Sequence, residues 1–137
     1  MSGNLNISAD VAASGMRVQA ERLKVISQNM ANADSISTTP GGEPYRRQVV
    51  SFQNYVDQET GAQMVKVDKI VNDKSPFEKR YAPNHPGADE NGYVSLPNVN
   101  PLIEMMDMKE AQRAYDANLN MLKTAREMNS SVLDILK

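Results

Sequence analysis

The chain has 137 residues and a formal net charge of −2, with 23% charged residues, 5% aromatic residues and neither Trp nor Cys. That balance gives no reason to expect nucleic acid, which favours strongly basic surfaces, and the missing cysteines exclude disulfides and thiolate metal sites. Nine methionines outnumber every aromatic type, so a packed centre must come from Met, Leu, Ile, Val and Ala, which suits helix on helix better than one large globule.

No apolar run approaches the roughly 20 residues needed to span a bilayer. The opening "MSGNLNISADVAASG" has no basic n-region and no long apolar h-region, so no cleavable secretory signal is expected. If the protein leaves the cytoplasm, it needs another route.

The first expected element is a helix from about Leu5 to Ala33. Leu5, Ala9, Ala12, Met16, Gln19, Leu23, Ile26, Met30 and Ala33 step alternately by 4 and 3, a heptad seam over about four heptads with one polar member, Gln19. Ser8 or Asp10 would cap the helix if it began later. Gly15 costs the helix about 1 kcal/mol against Ala; with Ala12 and Ala13 it leaves a thin place where another backbone can approach.

The helix then meets "SISTTPGGEPYRRQ", a tract of Ser, Thr, Pro and Gly that ends in Tyr45, Arg46 and Arg47. The middle, from Tyr45 to Asn100, reads as short strands. "RRQVVSFQNY" and "AQMVKVDKIVND" are rich in β-branched residues, with a turn expected at Glu59-Thr60-Gly61. The next stretch, from Ser75 to Pro101, holds five of the seven prolines, which leaves room for a short strand pair or an extended excursion. Such a region is small and depends on its neighbours.

The last element is a helix from Pro101 to about Leu136, with Asn100 as cap and Pro101 at the first helical position. Ala111, Ala114, Asn118, Met121, Ala125, Met128, Val132 and Ile135 step alternately by 3 and 4. The expected fold is mainly α with a small β-rich insertion. It divides into an N-terminal axial helix over 1–33, an extended loop and β-rich segment over 34–100, and a C-terminal axial helix over 101–137. The long helices pair as an antiparallel coiled-coil hairpin. A two-helix hairpin leaves its outer faces wet, so both seams are expected to pack against other subunits.

Candidate chemistry is sparse. His85, the only histidine, sits with Asp89 and Glu90 in a loop; the spacing matches no standard metal site, and a histidine in such a loop is usually ordinary surface or turn structure. No serine has the strand–elbow–helix setting of a hydrolase. "TTPGGEP" follows a helix rather than preceding one and lacks the Gly and Lys pattern of a phosphate cradle. Tyr45-Arg46-Arg47 would suit phosphate or base contacts, but also the start of an exposed strand. No catalytic residue, cofactor, metal or small-molecule substrate is therefore expected.

Two motifs carry a family resemblance. The helix ending in Asn29, Ala31 and Asn32, followed by Thr39-Pro40-Gly41, resembles the N-terminal signature of the bacterial flagellar rod and hook axial proteins. The loop is stretched by Gly42-Glu43-Pro44, which delays the tyrosine to Tyr45, before Arg46; this form looks like a proximal-rod member. Downstream, His85-Pro86, Gly92-Tyr93, Pro97-Asn98-Val99-Asn100, Glu104-Met105, Arg113-Ala114-Tyr115 and Ala117-Asn118 fall in the family's order. The resemblance covers nearly the whole chain.

It implies a structural subunit of the rod between the membrane motor and the hook. Such a subunit is exported by the flagellar type III apparatus without signal cleavage. It assembles with other rod subunits and copies of itself into a helical tube crossing the periplasm. A soluble coiled-coil adaptor, or a type III effector or chaperone, would share the heptads but gives no reason for the two motifs together.

Overall fold

The computed structural model describes residues 2–135. Its order is α1 (Ser2–Ala31), β1 (Gln48–Val56), β2 (Gln63–Asn72), β3 (Lys79–Tyr81), β4 (Tyr93–Ser95) and α2 (Pro101–Ile135). Two long helices enclose a small β insertion, as the sequence predicts. The strands form two separate two-stranded sheets, β1 with β2 and β3 with β4.

The helix ends have local causes. α1 begins by Ser2, earlier than the expected Leu5. Ser8 is not its cap: the Ser8 hydroxyl lies inside the helix and donates to the Asn4 carbonyl at 3.0 Å. The helix ends at Ala31, two residues before the expected Ala33. There Asn32 turns back on the last turn, its amide donating to the Gln28 carbonyl at 2.8 Å and its carbonyl oxygen accepting from Ser35 Oγ at 3.1 Å. α2 starts where predicted. Asn100 Oδ1 accepts from the Leu102 N–H at 3.0 Å, an N-cap that fills one of the orphan donors of the first turn.

The chain forms two compact units. The first comprises Met1–Leu23, Val50–Lys69 and Lys109–Lys137. Its buried apolar side chains are Ala12, Val18, Met64, Ala111 and Ala125, all small or flexible. Gly15 lies so close to α2 that a β-carbon there would come within 2.7 Å of the Asn118 amide nitrogen. Arg22 pairs with Glu110 at 3.1 Å, and Asn129 donates to Asn6 at 3.3 Å. The Ser14 hydroxyl is shared, donating to the Val11 carbonyl at 2.7 Å and accepting from the Val65 N–H of β2 at 3.4 Å. The β1–β2 turn closes at Gly61, where φ is +68°. Asp57 Oδ1 accepts from the N–H groups of Glu59 and Thr60. This is the turn expected at Glu59-Thr60-Gly61.

The second unit comprises Lys24–Val49 and Ile70–Met108. Here β3 and β4 run antiparallel, with Arg80 opposite Val94 and Tyr81 opposite Tyr93. The two tyrosine rings meet edge to face at 5.3 Å, a favourable aromatic geometry. Val94, Val25 and Ile26 are buried. So are two polar side chains, Asn29 at 1% and Glu104 at 0% exposure.

Candidate functional site: a polar cluster at the root of the loop

The cluster begins with Asn29, on the last full turn of α1. A primary amide offers two donors and one oxygen with two lone pairs, and all four are used. Its Nδ2 donates to the Gln48 carbonyl at 2.8 Å and to Glu104 Oε2 at 3.2 Å. Its Oδ1 accepts from Tyr45 Oη at 2.8 Å and from the Gln48 N–H at 2.9 Å. One side chain thus ties the end of α1 to the start of β1 and to α2.

Arg47 completes the cluster. Its Nε donates to Glu104 Oε1, its Nη2 to Asp107 Oδ2 at 3.2 Å and its Nη1 to Asp73 Oδ2 at 3.4 Å. Its own N–H donates to Asn98 Oδ1 at 2.7 Å. Asn98 in turn donates to the carbonyls of Asp73 and Ser75 at 3.1 and 3.2 Å. A planar guanidinium with five donors is suited to holding several carboxylates at once. Without it Glu104 keeps only the Asn29 amide and its buried charge is left uncompensated: removing one partner of a buried ion pair costs about 3–5 kcal/mol. Arg46 lies beside the cluster, with its guanidinium 4.1 Å over the Phe77 ring and donating to the Asp73 carbonyl at 3.0 Å.

The charges shift one another in consistent directions. Burial is the largest influence on Tyr45 and raises its pKa, and the nearby Glu104 carboxylate adds to the rise. Asp73 lies below its ordinary value, mainly through its hydrogen bonds from Ser75 and then through Arg47. Burial alone would lower the Arg47 pKa, but its bonds to Glu104 and Asp73 more than offset this and raise it.

The loop between α1 and β1 is shaped rather than slack. Gly42 donates to the Thr39 carbonyl at 3.0 Å across Pro40 and Gly41, and Gly41 has φ +69°. Proline at the second position and a left-handed glycine at the third define a type II turn. The Tyr45 N–H donates to the Ser35 carbonyl at 3.1 Å, closing the loop at its base. The Ser37 carbonyl presses on Gly87, where a β-carbon would come within 1.9 Å of it. Pro44 is buried, Gly42 half-buried, and Thr39, Pro40 and Gly41 exposed. His85 serves a turn: its Nδ1 accepts from the Gly87 N–H at 2.9 Å.

Of the expected loop residues, Asn29, Tyr45 and Arg46 converge on the cluster. Asn32 caps the helix, and Ala31 is exposed. The sequence reading did not single out Arg47, Asn98, Asp73 or Glu104 as a group. Asp73, Asn98 and Glu104 lie 26 to 57 residues from Arg47 in the chain, so no local pattern joins them. The available signals were the family motifs that contain Asn98 and Glu104 and the arginine pair that ends the loop.

The expected seams divide in the structure. On α1, Ala12 and Ile26 are buried, and Leu5, Ala9, Met16, Leu23 and Met30 are half-buried. The deepest stripe also takes in Ser14, Val18, Val25 and Asn29. On α2, Ala111 and Ala125 are buried, and Ala114 and Val132 half-buried. Met121, Met128 and Ile135 are 58%, 52% and 83% exposed. One residue further along from Met121 and Met128, Leu122 and Asn129 are half-buried instead, and Ala114 shares its cover with Tyr115.

Sequence comparison agrees with this anatomy. Residues 90–135 match the family described as flagellar basal body rod FlgEFG protein C-terminal, a stretch that begins just before β4 and takes in α2. The chain is also 47% identical to the flagellar basal-body rod protein FlgC of Agrobacterium fabrum over 97% of its length and 96% of that protein. It is 42% identical to the proteins of the same name from Borreliella burgdorferi, over 95% of this chain and 96% of that protein, and from Salmonella typhimurium, over 92% and 93%. The fold and its motifs therefore define a flagellar rod protein, structural and not enzymatic. Within that class, the chain belongs to the family of the flagellar basal-body rod protein FlgC.

Proposed function

We propose that the protein is a subunit of the proximal rod, packed into a helical tube by an apolar stripe on α2 that its own fold leaves uncovered. The observation that carries this reading is the exposure, on one side of α2, of Met121, Met128 and Ile135 in the first unit and of Leu102, Ile103 and Met106 in the second. Large apolar side chains left exposed along one side of a helix mark an interaction site. A heterologous contact that does not close on itself builds a filament.

The two long helices pair antiparallel along a narrow seam. In the first unit Asn6 meets Asn129, Gly15 faces Asn118 and Arg22 pairs with Glu110; in the second, Asn29 meets Glu104. As the α1 number rises, the α2 number falls in step, which supports an antiparallel hairpin. Ala12, Ile26, Ala111 and Ala125 close that hairpin from inside. Leu5, Ala9, Met16, Leu23 and Met30 at its edge, with Ala114, Met121, Met128, Val132 and Ile135, meet neighbouring subunits. The loop from Ala33 to Pro44 braces one subunit against the next. The rod crosses the periplasm, and the subunit reaches it through the flagellar type III apparatus without a cleaved signal.

The double substitution Met121→Glu/Met128→Glu tests the reading. Both side chains are exposed in the single chain, so its helical circular dichroism should be unchanged. Motility in soft agar should be lost, and isolated basal bodies should lack a complete rod. Normal swarming with intact rods would rule out this stripe as the assembly surface.

A further inference from the structure

We propose that Glu104 is a register lock: by meeting Asn29 it fixes which turn of α1 lies against the first turn of α2. The inference rests on the antiparallel pairing proposed above and adds what determines its alignment.

Beyond the fit of Gly15 to Asn118, the buried apolar part of the seam carries little alignment information. Ala12, Val18 and Val25 on α1, and Ala111 and Ala125 on α2, are small apolar residues. Such residues pack nearly as well after a slip of one heptad. A polar residue at one seam position is what specifies register in paired helices, at a cost in stability. Asn29 and Glu104 are both essentially inaccessible to solvent, so an unpaired state of either is expensive.

The partners of Asn29 make the pairing selective. Tyr45 and the Gln48 backbone occupy its oxygen and one donor; the remaining N–H points to Glu104 Oε2. The other carboxylate oxygen faces Arg47. A seven-residue slip would set Asn29 against an alanine position, Ala111, and take Glu104 away from both of its partners. The lock therefore acts by making the wrong alignments leave a buried charge unsatisfied. The direct attraction between an amide and a carboxylate is the smaller part.

The absence of cysteine makes site-specific spin labelling straightforward. Labels placed through Gln28→Cys and Met106→Cys, both exposed positions, report the α1–α2 alignment by pulsed dipolar distance measurement on the full chain. The unsubstituted background should give one narrow distance. Glu104→Leu is the informative change, because Asn29 keeps Tyr45 and Gln48, and Arg47 keeps Asp73 and Asp107. It should add a second distance, consistent with a heptad displacement of about 10 Å along the axis at 1.5 Å per residue. Glu104→Gln, which still accepts from Asn29, should keep the single distance.

A single unshifted distance in Glu104→Leu would overturn the lock. Should that variant lose its helical circular dichroism, Glu104→Asp decides instead. One methylene shorter, its carboxylate cannot reach Asn29 and Arg47 together, so it should show the second distance; a single unshifted one again overturns the lock. A broad distribution in the unsubstituted background would overturn the pairing itself, a separate failure from that of the lock.

Discussion

Tyr45 makes its contribution through one hydroxyl. It donates to Asn29 Oδ1, which the Gln48 N–H also satisfies. Tyr45→Phe therefore removes a hydrogen bond without orphaning the amide oxygen, and should cost roughly 0.5–1.5 kcal/mol in a denaturation experiment. The same residue gives a pH signature. Its folded pKa lies above the ordinary 10.0, so its contribution is intact below that value and is lost as pH rises through the folded one. Tyr45→Phe should flatten this alkaline decline; an unchanged alkaline limb would show that Tyr45 does not titrate in the cluster.

Asp73 works in the opposite direction. Its pKa is lowered from the ordinary 3.8. Its contribution is therefore present above that value and is lost as pH falls through the folded one. Asp73→Asn should start less stable at neutral pH and lose less on acidification below about pH 4. If its acid limb matched that of the parent chain, other carboxylates would carry the effect.

At this scale the sequence was partly legible. Asn29, Tyr45 and Arg46 stood out because they lie in one short motif, and Asn100-Pro101 announced the α2 start through local capping chemistry. Glu104 and Asp73 acquire their meaning only when the chain brings them to Arg47, and no spacing rule encodes that.

At the scale of elements, two glycines separate tight packing from helix propensity. A β-carbon at Gly15 meets the Asn118 side chain, whereas one at Gly87 meets the Ser37 backbone carbonyl. A side-chain amide can rotate away, and alanine gains about 1 kcal/mol over glycine inside a helix. Gly15→Ala should thus be close to neutral. A backbone carbonyl can give way only if the loop moves, and overpacking of this kind costs about 1–3 kcal/mol. Gly87→Ala should destabilise the chain and raise proteolytic cleavage between Asp34 and Glu43. The two melting temperatures compare these effects directly; equal shifts would contradict the difference in what each glycine touches.

On each helix the chain itself covers only part of the surface that shares the heptad period. On α2, Ala111, Asn118, Ala125 and Val132 lie on the covered side, as the seam requires. The alternate members shift from Met121 and Met128 to Leu122 and Asn129. Both sets fit alternating steps of 3 and 4. The methionines were favoured because they are apolar, whereas Asn129 is not. The helix carries two adjacent stripes, and a sequence with apolar residues on both cannot say which one its own chain will cover. On α1 the deepest positions include Ser14 and Asn29, polar residues that a hydrophobic pattern passes over.

For the whole molecule, the two units share a design. Each buries few large side chains. The first relies on Ala12, Ala111 and Ala125, and the second on a hydrogen-bonded cluster around Arg47 as much as on Val25 and Val94. Small residues let helices approach closely but bury little area, and at about 25 cal/mol per Å² they contribute modestly. The assembly proposed above would cover the apolar side chains that α2 leaves exposed and so add stabilisation that the single chain lacks. This architecture was legible from composition, with few aromatics and many methionines. The two-strand sheets were anticipated as small, because so few large side chains are available to cover them.

The most direct test of the account is a density map of isolated basal bodies by electron cryomicroscopy. The account predicts this chain in the proximal rod wall, with α1 and α2 antiparallel and Met121, Met128 and Ile135 covered by neighbouring subunits. Rod density in which that stripe faces solvent, or in which the two helices lie apart, would contradict it.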